Sequence, residues 1–385
     1  MYSKTIYMDN AASTRTDPAV VDAMLPFFTE HYAVASSQFS HSPGIYSREA
    51  LDKARTGIAG YVNAEPDEII FTSGSTEANN LALKGLALAN DKKHIICSSI
   101  EHNSVMHTCR WLEKQGFELT LIPVDSEGFI DIGFLEKELR KDTLLVSVQH
   151  GNQEVGSVQD IVRISELCRE HGVIFHSDAS LTLTHMPIDL RNTPVDLMSF
   201  SGHRIHGPKG IGALFIRKGT PLQKIMHGGY SEFDMRPGTE NIPGAVGFAK
   251  AVEIASDSQN RMVRALQKQL VAGLVSGIDG VALNGPENFE KRLPGNVNVS
   301  FDRIEGESVV LHFDMQGISV ITGSACFSRS LEPSHVMMAM GFSHERAHGS
   351  IRFTMSKFNT SDEIDQIIAV SREVVENLRK ISPIT

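Results

Sequence analysis

Through its first two thirds the chain alternates short β-type runs with amphipathic helical stretches. That alternation restricts it to a layered α/β architecture with a largely parallel sheet. Residues 94–99, 118–124, 143–148, 173–176, 197–201 and 212–216 read as strands rich in Val, Ile, Leu and Phe. Residues 131–140 and 161–171 are amphipathic stretches between them. Near residue 257 the character shifts. A helical pattern over 258–278, a strand over 295–301, a helix over 307–315, a short run at 319–322, a helix near 333–340, a strand at 350–354 and a closing helix over 361–378 predict a second, smaller α+β domain. With 385 residues, 41% of them hydrophobic, the chain can fill both cores.

Charge and cysteine usage narrow the function. A net charge of −10 argues against nucleic acid as the main partner, because phosphate backbones need a basic surface. No apolar run approaches the roughly 20 residues of a membrane span. The start, Met1-Tyr2-Ser3-Lys4-Thr5, has no long apolar core, so no signal peptide is expected. Cys97, Cys109, Cys168 and Cys326 are scattered without a C-x-x-C pair, which predicts a reducing, cytoplasmic setting.

Four places carry candidate chemistry. Thr72-Ser73-Gly74-Ser75-Thr76-Glu77 lies between an apolar pair and a helix rich in Ala and Leu. Exposed N–H groups and hydroxyls at a helix start bind anions, although a plain N-cap has the same look. Asp178 follows a strand, where open α/β sheets place ligands and where a carboxylate can keep a ring nitrogen protonated. A turn or capping aspartate reads the same way. Ser201-Gly202-His203-Arg204 opens a loop that combines donors with glycines, either a ligand loop or an ordinary one. Cys326, in Gly323-Ser324-Ala325-Cys326, is a nucleophile or metal ligand, or else an inert surface thiol. His344-Glu345-Arg346-Ala347-His348 matches a zinc-protease pattern, but Gly341 and Gly349 bracket it and leave no room for a long helix.

These pieces, in this order, resemble the cysteine desulfurases that supply sulfur for iron–sulfur clusters and tRNA thiolation. The most specific stretches are residues 72–80, 201–214 and 305–338. The resemblance implies the class V aminotransferase fold that binds pyridoxal phosphate (PLP). It divides the chain into a large domain, 14–257, and a small one made of 1–13 and 258–385. It implies a homodimer, L-cysteine or a related small thiol as substrate, and a scaffold or sulfur-carrier protein as acceptor. Position by position, Ser75, Thr76, Ser201 and His203 match the phosphate-binding residues, and Thr239 matches a threonine that reaches the partner subunit's phosphate. His102 corresponds to a histidine stacked on the ring, and Asp178 to the carboxylate on the pyridine nitrogen. Asn10 and Arg352 stand at substrate-binding positions, with Arg352 facing the substrate carboxylate. Cys326 matches the persulfide cysteine.

The pattern breaks at the lysine. Where the family reads Ser-x-His-Lys, this chain has Arg204. A covalent attachment to PLP needs a primary amine that can lose its proton, and arginine stays charged. Gln153 stands where the family has an asparagine, and Leu181 where it has a glutamine that donates to the cofactor hydroxyl. Three altered contacts around one ring point to a site released from the usual lysine chemistry, with PLP bound non-covalently. Three readings follow. In the first, the protein serves sulfur mobilisation, with Cys326 as persulfide carrier or as a ligand to an iron–sulfur cluster on a bound scaffold. In the second, it is an active desulfurase that works by a modified mechanism, with His102 as base. In the third, it is a non-catalytic dimer partner of an active paralogue.

Overall fold

Strands that are apolar along their whole length need cover on both faces. In the computed structural model, which describes residues 5–323 and 333–381, they receive it. After β1 (Ile6–Tyr7), seven strands form one sheet: β2 (Ile69–Thr72), β3 (His94–Ser98), β4 (Glu118–Ile122), β5 (Thr143–Ser147), β6 (Ile174–Asp178), β7 (Leu197–Ser201) and β8 (Gly212–Ile216). Their order is β2-β8-β7-β6-β5-β3-β4. Every residue of β2, β3, β5 and β7 is buried. Only the edge strand β4 begins exposed.

The sheet is parallel from β4 to β7. β8 departs from this, running antiparallel to both its neighbours. Two reversals cancel, so β2 points the same way as β7. Thr72 and Ser201 both pair with Gly212, one on each side. The carboxyl ends of β2, β6 and β7 therefore meet at one rim, and the candidate loops leave from there.

A second core forms around β9 (Val281–Asn284), β10 (Asn296–Phe301), β11 (Ile318–Ser319), β12 (Ile321–Thr322) and β13 (Ser350–Thr354). Four of these make an antiparallel sheet in the order β12-β13-β10-β9. The expected run at 319–322 is broken at Val320. β11 pairs with β1 and β12 with β13, so the two halves serve different sheets. Helices Asp257–Val275 and Ser361–Ile381 cover this core, and Ile6 and Met8 from the chain start join it. The zinc-like pentapeptide forms a five-residue helix, His344–His348, that ends at Gly349. Among the described residues no helix is long and apolar enough to cross a membrane.

Candidate functional site

At the carboxyl end of β6 a pocket of about 290 Å³ is lined by Ser75, His102, Gln149, Gly151, Gln153, Asp178, Ser180, Leu181 and Arg204. Its floor is a chain of hydrogen bonds. Asp178 is buried, and its Oδ2 accepts from Asn79 Nδ2 at 2.7 Å. Its Oδ1 accepts the Ser180 N–H at 2.9 Å and the Ser180 hydroxyl. The same Asn79 amide donates to Ser104 Oγ at 2.8 Å, which lies 2.8 Å from His102 Nδ1. His102 is the N-cap of helix Asn103–Glu113, and its Nδ1 accepts the Ser104 N–H at 3.1 Å. A backbone N–H can only donate, so Nδ1 holds a lone pair and the neutral ring carries its proton on Nε2. Burial lowers the His102 pKa. Asp178 opposes that shift and Arg204 adds to it.

The other end is less complete. Helix Ser75–Leu88 starts at Gly74, which has no side chain to cap the first turn. Gly74 has φ 153°, a backbone that residues with a Cβ rarely adopt. The open amides of such a helix start suit an anion. Ser201 Oγ, at the end of β7, is buried without a hydrogen-bond partner among the described residues. A buried hydroxyl left so is costly unless a ligand completes it. His203 Nδ1 lies 3.4 Å from Ser13 Oγ. Burial, reinforced by Arg204 and Lys209, pushes its pKa down to about 4, so this imidazole is neutral. Orphaned donors at one end and a carboxylate at the other fit the phosphate and ring nitrogen of PLP.

The two residues expected on the substrate side are each tied to neighbouring groups. Arg352 donates to Asp9 Oδ1 at 2.7 Å and to the Gln153 carbonyl at 3.3 Å, while its Nε is buried without a partner. A guanidinium with N–H donors in reserve, Nε among them, can still take a carboxylate. Neighbouring Glu154 is buried, and desolvation pushes its carboxyl up to about 7. Asn10 does not line the pocket. Its amide donates to the Thr354 carbonyl at 2.7 Å and to the Tyr7 carbonyl at 3.3 Å. Asn10 lines a larger cleft with Leu293, Gly295 and Lys357, and Arg204 lines both that cleft and the pocket.

Thr239 also stands apart, lining a separate hollow with Phe39, Arg48, Arg55, Tyr230 and Glu232. Thr76, one residue into the helix from Ser75, accepts an Asn80 side-chain bond on its carbonyl at 2.9 Å. Cys326 lies outside the described residues, and with it the expected nucleophile and metal ligand. The other three cysteines are buried. Among the described residues no three His, Cys, Asp or Glu side chains stand together to hold a metal ion. Sequence reasoning missed Asn79, Ser104, Ser180 and Gln149. The available signal was Asn79 in a helix interior, where asparagine is a poor helix former and needs a reason.

The model of the family described as aminotransferase class-V matches residues 6–367. A cysteine desulfurase IscS of Clostridium botulinum is 44% identical over 387 residues, which cover 99% of this chain and 97% of that protein. One from Methanosarcina thermophila is 47% identical over 388 residues, covering 100% and 95%. Among solved structures, a NifS-like protein aligns with a TM-score of 0.89 at 36% identity, covering 97% of this chain and 99% of that one. SspA in complex with cysteine aligns with a TM-score of 0.82 at 34% identity, covering 92% and 100%.

Proposed function

The chain belongs to the class-V aminotransferases, with cysteine desulfurases as relatives along its whole length, and from that premise we propose a cysteine desulfurase-like protein of sulfur mobilisation and iron–sulfur cluster assembly. Its PLP site has Arg204 in place of the lysine, and the lysine-dependent reaction is impaired. One observation carries the reading: Asp178, His102 and Ser75 share a pocket whose wall is Arg204. PLP, when bound, supplies an electron sink at the substrate's α-carbon. Asp178 keeps the ring nitrogen protonated. Ser201, His203, Ser75 and Thr76 would hold the phosphate, and the Arg352 guanidinium would take the carboxylate of L-cysteine. Gln153 and Leu181 leave the ring hydroxyl with fewer donors. Arg204 holds its proton at all ordinary pH and gives neither nucleophile nor base. The Cys326 thiolate takes the outer sulfur of a donor persulfide, whose S–S bond breaks to release the donor's thiolate, and passes that sulfur to a scaffold or carrier thiolate in the same way, or else completes a cluster's ligands there. In a homodimer, Thr239 serves the partner's phosphate. Two core clusters around the seven-stranded sheet and a separate one around β9–β13 support a large domain over 14–257 and a small one from 1–13 and 258–385.

A second reading rests on His102. A neutral imidazole with its Nε2 proton inside the pocket and Nδ1 oriented by Ser104 can relay a proton. The protein would then be a slow but working desulfurase.

The test is sulfide and alanine release from L-cysteine with PLP and a thiol reductant, with Arg204→Lys in parallel. Restoring an amine base raises release about 10²–10⁴-fold in the variant if Arg204 is the block. Equal release by both proteins favours the His102 route. Silence from both discards the desulfurase chemistry and leaves sulfur or cluster transfer through Cys326.

A further inference from the structure

Glu232, Phe233 and Asp234 follow one another with φ of 51°, 55° and 66°. Non-glycine residues seldom enter this left-handed region, and three in succession persist only where their surroundings over-determine them. Here the surroundings do so. Arg55 Nη1 and Nη2 donate to Glu232 Oε2 and Oε1, each at 2.7 Å, with both side chains buried. The Arg55 guanidinium lies between two rings, 4.8 Å from Phe71 and 5.0 Å from Phe233. Lys224 Nζ meets Asp234 Oδ1 at 2.7 Å.

This segment reaches the anion loop twice. Glu232 Oε2 accepts the Phe71 N–H at 2.7 Å, on the strand that leads directly into Thr72. Two residues past the left-handed turn, Arg236 Nε donates to Glu77 Oε1 at 2.9 Å. The other oxygen of Glu77 accepts the Ser73 N–H at 2.8 Å. Glu232 thus holds the backbone entering the loop, and Arg236, through Glu77, holds its first turn. A hollow between them is lined by Thr72, Ser73, Glu232 and Arg236. The loop itself is Ser, Gly, Ser and Thr, which cannot stiffen it unaided. Donors aimed at a ligand are effective only when neighbours fix them.

We infer that Glu232 and Arg236 are positioning residues that set the geometry of the anion loop Ser73–Thr76, so that phosphate recognition is enforced from behind the loop by the left-handed turn. The inference rests on the proposed role of that loop as the PLP phosphate site. A purely structural anchor would lower stability and leave the preference for phosphate alone.

Titration calorimetry of the full-length protein with PLP and with pyridoxal, which lacks the phosphate, separates the two. Wild type binds PLP more tightly. Arg236→Gln lowers the PLP-to-pyridoxal affinity ratio about tenfold, the size of one charge-assisted bond, while pyridoxal binding is unchanged. Arg236→Lys recovers most of the ratio. Glu232→Gln shifts it the same way, with a lower melting temperature. An unchanged ratio in Arg236→Gln, or an equal loss of both ligands, overturns the inference. If wild type shows no preference for PLP, the PLP reading itself fails and the inference falls with it. A wild-type preference that Arg236→Gln keeps removes the inference alone.

Discussion

The two ends of the pocket are finished to different degrees. At the ring end, Asp178, Asn79, Ser104, Ser180 and His102 are linked by bonds of about 3 Å or less, with Asn79 Oδ1 left buried without a partner. At the anion end, Ser201 Oγ and the helix start behind Gly74 have no such partners. The difference separates two tasks. On the proposed reading, groups that hold a proton in place are linked by the protein, whereas groups that bind are left for the ligand to complete. The same substitution chemistry therefore has opposite effects on stability at the two ends.

Asp178→Ala gives the largest effect. It strands the buried Asn79 amide and Ser180 hydroxyl, and lowers unfolding free energy by about 2–3 kcal/mol, read from urea melts without ligand. A variant as stable as wild type would break the comparison. Ser201→Ala is next, with the sign reversed. Deleting an unpartnered hydroxyl leaves ligand-free stability unchanged or up to about 1 kcal/mol higher, while PLP affinity drops about fivefold. Loss of stability there would mean that Ser201 already had its partner.

The smallest expected effect is a pH slope. Burial pushes His150, His176, His203 and His206 each down to about 4. Between about 6.5 and 4 the unfolded chain takes up protons that the folded chain refuses, so stability falls as pH falls through that window. Glu154, held up at about 7, works the other way and gains stability as pH falls from 7 towards 4.5. Melting temperatures across pH 4–7 should slope down towards acid, and His176→Gln should flatten part of that slope. No change in slope would mean that His176 titrates alike in both states.

Much of this was legible in the sequence. Residues 197–201, 212–216 and 350–354 are strands with the bounds their apolar runs suggest. Asp178, His102, Ser75, Gln153 and Arg204 do converge. The long helix Ser42–Tyr61 was not legible, because its buried face is made of Gly44, Ser47, Ala54, Arg55 and Ala59 as much as of Leu51 and Ile58. Such a face gives no apolar stripe for a period of 3.6 to reveal. The Asn79–Ser104 link was hidden for a different reason. It joins two helices, and its residues look like ordinary surface polar groups until the sheet brings those helices side by side. The reversal of β8 was also invisible, since an apolar run carries no sign of its direction.

That reversal has a consequence for the order in which the molecule assembles. Thr72 and Ser201 come to one rim only when β2 docks on β8, which pairs Thr72 with Gly212. This is the most widely separated pairing in the large sheet, so closing it carries the greatest loop-closure cost and comes late in folding. The part of the ring end built around β6 and its neighbours can exist before it, whereas Asn79 arrives with the helix that follows β2. A newly made chain therefore completes this rim at the last step, and on the proposed reading capture of the cofactor would report that the sheet has closed.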